Sequence, residues 1–179
     1  MKKNIFLVLL CVSVTAFSQQ KMISKSGNIT FEASVPSFEE VKATNQSVTV
    51  VLNPVTGEIA SLALMKGFRF KVALMEEHFN ENYIESDKYP KAIFKGKIEG
   101  FDANSLTANP KDFIIKGKLE LHGKAVDVNA SAKMSKTASG INLVSNFSVN
   151  ASDFNISIPA IVKNKVDNKV TIQLAAVLK

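Results

Sequence analysis

Most of the chain alternates between apolar and polar positions. Ile29, Phe31, Ala33 and Val35 share one side of an extended segment, with Asn28, Thr30, Glu32 and Ser34 on the other. The same period of two returns in Phe113, Ile115, Gly117, Leu119 and Leu121, and again in Val126, Val128, Ala130, Ala132 and Met134. It also marks Ile141, Leu143, Ser145, Phe147 and Val149, and finally Val170, Ile172, Leu174, Ala176 and Leu178. Each run predicts a β-strand with one buried and one solvated face, as in antiparallel sheet. Residues 48–52 and 58–64 add two more strands, joined through a Pro- and Gly-containing turn at 53–57. His122-Gly123-Lys124 and Ala138-Ser139-Gly140 supply tight turns. About eight strands at this short spacing predict an all-β antiparallel barrel or sandwich.

One stretch breaks the alternation. Over residues 72–85 the apolar positions Met75, Phe79 and Tyr83 recur every four residues, while Glu76, Glu77 and Glu81 take the other side. That is the pattern of a short amphipathic helix, stopped from running on by Pro90. A lone helix among strands is expected to cap one end of the barrel. A local repeat, FKGKIE at 94–99 and IKGKLE at 115–120, places Gly96 and Gly117 at inward strand positions. Such glycines mark curvature or close backbone approach, and they also leave room in a lumen.

The N-terminus has its own character. Lys2 and Lys3 precede a mostly apolar run over residues 5–17, and Ala16 and Ser18 stand where a signal peptidase reads small residues. Residues 1–18 therefore read as a signal peptide and residues 19–179 as one exported domain. Cys11, the single Cys, would leave with the leader. Leu10 before it, and its place in mid-run, argue against a lipoprotein site.

Composition then narrows the chemistry. The chain is 46% hydrophobic with a formal charge of +6, ordinary for a globular domain. Without a Cys in the exported part, and with only His78 and His122, no Cys/His zinc site and no nucleophile–base pair suggests itself. No phosphate loop or dinucleotide fingerprint is present, so no metal and no cofactor is expected. His78 among Glu76, Glu77 and Glu81 reads as a solvated helix face, and an enzyme built on it as a distant third reading. His122 reads as a solvated turn residue. Arg69 is the only Arg and Trp is absent, which argues against nucleic acid. Lys95, Lys97, Lys116, Lys118 and Lys133 fall on outward strand positions, where they protect the sheet and allow weak contact with an anionic membrane surface. Six N-x-S/T triplets, at Asn28, Asn45, Asn129, Asn146, Asn150 and Asn155, fit outward faces rich in Asn and Ser.

What remains is the interior. Phe31, Val50, Phe94, Ile98, Phe113, Ile115, Leu119, Val128, Leu143, Phe147, Ile172 and Leu174 all face one side. They either fill one another's space or line a lumen for one elongated apolar ligand. Burying about 400 Å² of such a ligand at ~25 cal/mol/Å² contributes roughly 10 kcal/mol before ordering costs. In the second case Gly96 and Gly117 would add volume, and Met75, Phe79 and Tyr83 would close a mouth.

Three motifs carry a resemblance. Tyr89, Pro90 and Phe94 follow the helical stretch; Gly117, Leu119, Leu121 and Gly123 form a spaced hairpin; Asp153, Phe154 and Ile156 come later. In this order, over roughly residues 65–178, the chain resembles the YceI-like family of periplasmic proteins. The N-terminal stretch GNITFEASVPSFEEVKA departs from it, lacking the two His the family usually has there. The resemblance implies an antiparallel lipocalin-like β-barrel of about eight strands, with one short capping helix near 72–85. It also implies a polyisoprenoid or other long-chain lipid as the partner, held in the lumen without catalysis. The competing expectation is a side-chain-filled barrel that acts as a structural or interaction protein of the cell envelope.

Overall fold

The computed structural model describes residues 21–179; the expected signal peptide lies outside the described residues. Among the described residues nine strands form one antiparallel sheet: β1 (Met22–Ser34), β2 (Lys42–Leu52), β3 (Glu58–Leu64), β4 (Arg69–Phe70), β5 (Lys91–Ile98), β6 (Lys111–Leu121), β7 (Lys124–Thr137), β8 (Gly140–Asn150) and β9 (Val166–Leu178). Their order is β1-β9-β8-β7-β6-β5-β3-β2-β4, and β1 also pairs with β2. That last pairing closes eight strands into a barrel. Of the described strands, the two-residue β4 alone lies outside the ring, on the start of β2. Closure removes the exposed sheet edges that an open sheet would have to protect.

Turn chemistry sets the connections. His122 and Gly123 both take positive φ (50° and 74°), the geometry that matches the twist of a two-residue hairpin. Asn53 Oδ1 accepts from the backbone N–H of Val55 (3.0 Å) and Thr56 (3.2 Å), and Gly57 takes positive φ to re-enter the sheet. The ladder between β1 and β2 shifts register between Gly27 and Ile29, opposite Val48 and Asn45. Asn45 is fully buried at this irregularity and satisfies it. Its Nδ2 donates to the Leu64 carbonyl at 2.9 Å, and its Oδ1 accepts from Ser47 N–H and hydroxyl. Asn45 is therefore an exception to the outward reading of the N-x-S/T triplets: its amide completes a bulge.

The expected helix is present in two parts. α1 (Ala73–His78) runs into a π-helical turn at Phe79–Tyr83. The ladder widens where Asn80 Nδ2 takes the Glu76 carbonyl at 2.8 Å, and Ile84 N–H then bonds back to Phe79. α1 has no side-chain cap at Val72. Instead the Glu76 carboxylate accepts from the Arg69 guanidinium (2.8 Å) and the Phe70 N–H (3.1 Å), tying the helix to β4.

The two ends of the barrel differ. At one end lie the 53–57 turn, the 99–110 connection, the turn between β7 and β8, and the backbone pairing of Ile23 with Lys179. At the other end lie the β1–β2 loop, the helix, the β6–β7 turn and the long crossover between β8 and β9. Inward residues toward the first end, such as Leu52, Met134, Leu143 and Leu178, are fully buried. Inward residues toward the second end, such as Phe31, Phe147, Val149, Val170 and Ile172, are only half-buried. The barrel is packed solid in one half and open in the other.

Candidate functional site: a cavity in the open half of the barrel

The half-buried inward residues surround a cavity of about 370 Å³, within the range of roughly 300–1,000 Å³ typical of small-molecule sites. Its wall is almost entirely carbon. Ile29 and Phe31 of β1, Phe94 of β5, Ile115, Leu119 and Leu121 of β6, Phe147 and Val149 of β8, and Val170, Ile172 and Leu174 of β9 form the sides. Met75, Phe79 and Tyr83 come in from the helical segment, with Phe68 and Phe70 behind them. The crossover contributes Phe154, Ile156, Ile158 and Val162. Polar groups are few: Ser61 and Ser145 on the wall, and Glu39, His78, Lys165 and Asp167 toward the mouth.

Of the residues singled out from the sequence, Phe31, Phe94, Ile115, Leu119, Phe147, Ile172, Leu174, Met75, Phe79 and Tyr83 lie on this wall. Val50, Ile98, Phe113 and Leu143 face inward but sit in the packed half. There Phe101, from the 99–110 connection, meets the Phe113 ring at 5.9 Å, and Leu106 is buried alongside. Val128 is buried on β7 opposite Gly117 and does not reach the wall. Gly96 and Gly117 also stay off the wall. They pair directly across β5 and β6, and a Cβ on either would come within 2.8 Å of the Phe94 ring tip. The two glycines thus seat an aromatic ring, and the ring occupies the space their missing side chains release.

The helix is held over the mouth by aromatic contacts. The Phe79 ring meets Phe31 at 5.3 Å, Phe70 at 5.2 Å and Phe68 at 5.9 Å, and Phe31 meets Phe68 at 5.2 Å. Such pairs add about 0.5–1.5 kcal/mol each beyond simple burial. Phe68 and Phe70 escaped the sequence reading because Phe68 lies in a connection and Phe70 in a strand of two residues, too short to show a period.

His122 corrects its expected role as a solvated turn residue. Its side chain is only 10% exposed. Nδ1 lies 3.0 Å from the Phe154 carbonyl, an acceptor, and Nε2 lies 2.9 Å from Glu85 Oε2. The Tyr89 ring packs edge-on against the imidazole at 4.4 Å and leans over Gly123, where a Cβ would sit 2.8 Å from Tyr89 Cε1. One side chain therefore joins the β6–β7 turn, the end of the helical segment and the crossover. Next to it the Tyr89 hydroxyl, and after it the Glu85 carboxylate, hold the exposed Lys88 ammonium above the ordinary lysine range. The motif residues Tyr89, Gly123 and Phe154 thus meet around His122 at this end of the barrel, and Asp153 is exposed and bonded to Asn150 at 3.2 Å. His78 is exposed at the mouth, and among the described residues no three His, Cys, Asp or Glu side chains gather as a metal site.

A closed eight-stranded antiparallel barrel with an apolar cavity open at one helix-covered end has the architecture of a lipocalin-like barrel. The chain belongs to the YceI-like family: the model of the YceI-like domain matches residues 13–178. A polyisoprenoid binding domain from Saccharophagus degradans, implicated in plant cell wall breakdown, superposes with a TM-score of 0.73 at 10% identity, covering 89% of this chain and 97% of its own. BcnA of Burkholderia cenocepacia gives 0.68 at 16% identity, over 85% and 94%. The Campylobacter jejuni YceI protein gives 0.61 at 19%, over 81% and 89%. No curated protein sequence matches this chain. At these identities the likeness is one of fold.

Proposed function

We propose that this protein is an exported, non-catalytic carrier that holds a long-chain apolar or amphipathic lipid, polyisoprenoid or fatty-acyl, in the open half of its barrel. The observation that carries the reading is the wall itself: a barrel that buries its inward residues completely at one end leaves large apolar side chains half-exposed to a cavity at the other. In a folded protein such surface is costly unless an apolar partner covers it. The wall offers dispersion contact along its length and few hydrogen-bonding groups, so it suits a hydrocarbon chain better than a sugar, nucleotide or peptide. The polyisoprenoid binding domain among the structural neighbours supports the same ligand class. The leader-like pattern of residues 1–18 supports export, to the periplasm or to the extracellular medium. The cavity also weighs against the alternative of a barrel filled throughout by its own side chains.

Organic extraction of the purified exported protein, followed by mass spectrometry, tests the carrier reading. The expected result is a stoichiometric long-chain lipid and a melting temperature that rises when prenyl or fatty-acyl chains are added back to delipidated protein. Protein that yields no lipid and shows no thermal shift with either chain class sinks it.

A further inference from the structure

The mouth of the cavity is rimmed by apolar side chains that no described residue covers. Ile161 is 85% exposed at the tip of the crossover, Leu74 is 57% exposed on α1, and Phe38 is 46% exposed on the β1–β2 loop. Three separate elements thus present large hydrophobic groups at the same end of the barrel. The crossover tip reads Pro159-Ala160-Ile161-Val162-Lys163-Asn164-Lys165, and no residue of its helical turn is buried. Among the described residues Lys163 and Lys165 form no ion pair. Of the wall lysines, Lys116, Lys118 and Lys133 each meet a carboxylate, Glu99, Asp127 and Asp112, at 2.7, 2.9 and 2.7 Å, whereas Lys95 and Lys97 are unpaired among the described residues but have no exposed apolar cluster beside them. Uncommitted basic charge is therefore set beside exposed apolar groups at the crossover tip.

We propose that this end of the protein docks on a lipid bilayer bearing anionic headgroups, with the crossover tip as its leading edge. The pattern fits an interfacial partner. Ile161 and its apolar neighbours would enter the boundary between headgroups and acyl chains, while Lys163 and Lys165 stay at headgroup level. The rest of the rim fixes the orientation. Glu39 beside Phe38 and Glu77 on α1 meet no cation among the described residues, while Glu40 and Glu76 are neutralised by Lys42 and Arg69, so those sides gain less from an anionic surface than the crossover tip and the barrel tilts toward the crossover. In that pose the cavity mouth faces the membrane, and a chain passes between bilayer and barrel without crossing water. The link to cargo rests on the carrier reading; the docking itself does not.

Flotation of the exported protein with vesicles tests the proposal, using phosphatidylcholine alone and phosphatidylcholine mixed with phosphatidylglycerol. The protein should float with the mixed vesicles and be released as salt is raised. Ile161→Asp should lower partitioning at least about tenfold, because burying one Ile side chain is worth more than a tenfold step in affinity. Lys163→Glu should remove the preference for mixed vesicles. Val55→Asp, at a residue 73% exposed on the opposite end, should change nothing. The proposal is overturned if the wild type fails to float, if Ile161→Asp floats as well as wild type, or if Val55→Asp is equally damaging. It is also overturned if light scattering shows a dimer that Ile161→Asp splits while vesicles are ignored, since the rim would then belong to a second copy. Lipid content by extraction is read separately: protein that floats through Ile161 but carries no lipid keeps the docking and loses the carrier, and loaded protein that does not float does the reverse.

Discussion

His122 shows how much one side chain can hold when its surroundings exclude water. Its two ring nitrogens reach the crossover and the end of the helical segment, and its face meets Tyr89. Replacing it by Ala removes both bonds and strands the Phe154 carbonyl beneath a fully buried ring. His122→Ala is expected to lower stability by ~2 kcal/mol, measured by urea unfolding, because two polar contacts of ~1 kcal/mol each are lost. Gly117 makes a different point. A Cβ there would stand 2.3 Å from the Lys95 carbonyl, a backbone atom that cannot step aside cheaply. Gly117→Ala should cost about 2 kcal/mol through overpacking, seen as a drop in unfolding midpoint, while leaving cavity volume unchanged. The spacing of this glycine was legible in the FKGKIE and IKGKLE repeat. Its role as a seat for Phe94 was not, since two strands must pair before one ring can lie over both glycines.

The helical segment is the element on which access depends. α1 buries none of its residues, so it stays in place through Phe79, its π-helical turn, and the Glu76 link to β4. Phe79→Ala removes the ring shared by three aromatic contacts and should destabilise the protein by ~2 kcal/mol. The same change should loosen residues 73–83 more than the barrel, giving faster amide hydrogen exchange there than in β6 or β9. Equal protection in wild type and variant would show that the helix is anchored by something other than Phe79. The stripe of Met75, Phe79 and Tyr83 predicted the segment because helical spacing survives in sequence. The widening into a π-turn was not predicted, since it depends on Asn80 reaching a main-chain carbonyl of the preceding turn.

At the scale of the whole molecule, the division into a packed half and an open half decides what the barrel can do. The packed half is stabilised by side chains meeting across the lumen, and under the proposed carrier function the open half gains that contact from its ligand. Filling the cavity from a small inward residue should therefore displace a ligand at little cost to the fold. Ala92 of β5 lies on the cavity wall and is only half-buried. Ala92→Phe is expected to reduce co-purifying lipid by about tenfold, with an unfolding midpoint within ~0.5 kcal/mol of wild type. Undiminished loading would place the ligand elsewhere.

Residue spacing alone determined most of the strands, their buried faces and the helical interruption, and it left barrel and sandwich open until the YceI-like motifs pointed to a barrel. Each of these follows from a local rule, in which a side chain's distance along the chain sets the face it shares. The depth of an inward residue obeys no such rule. Phe113 and Phe147 look alike in sequence, yet Phe101 and Leu106 close over the first while the second faces the cavity. Only closure of β1 on β2, and the loops gathered at each end, decided which inward residues meet a partner. Packing is a property of volumes brought together from across the chain, and one-dimensional spacing carries no record of them.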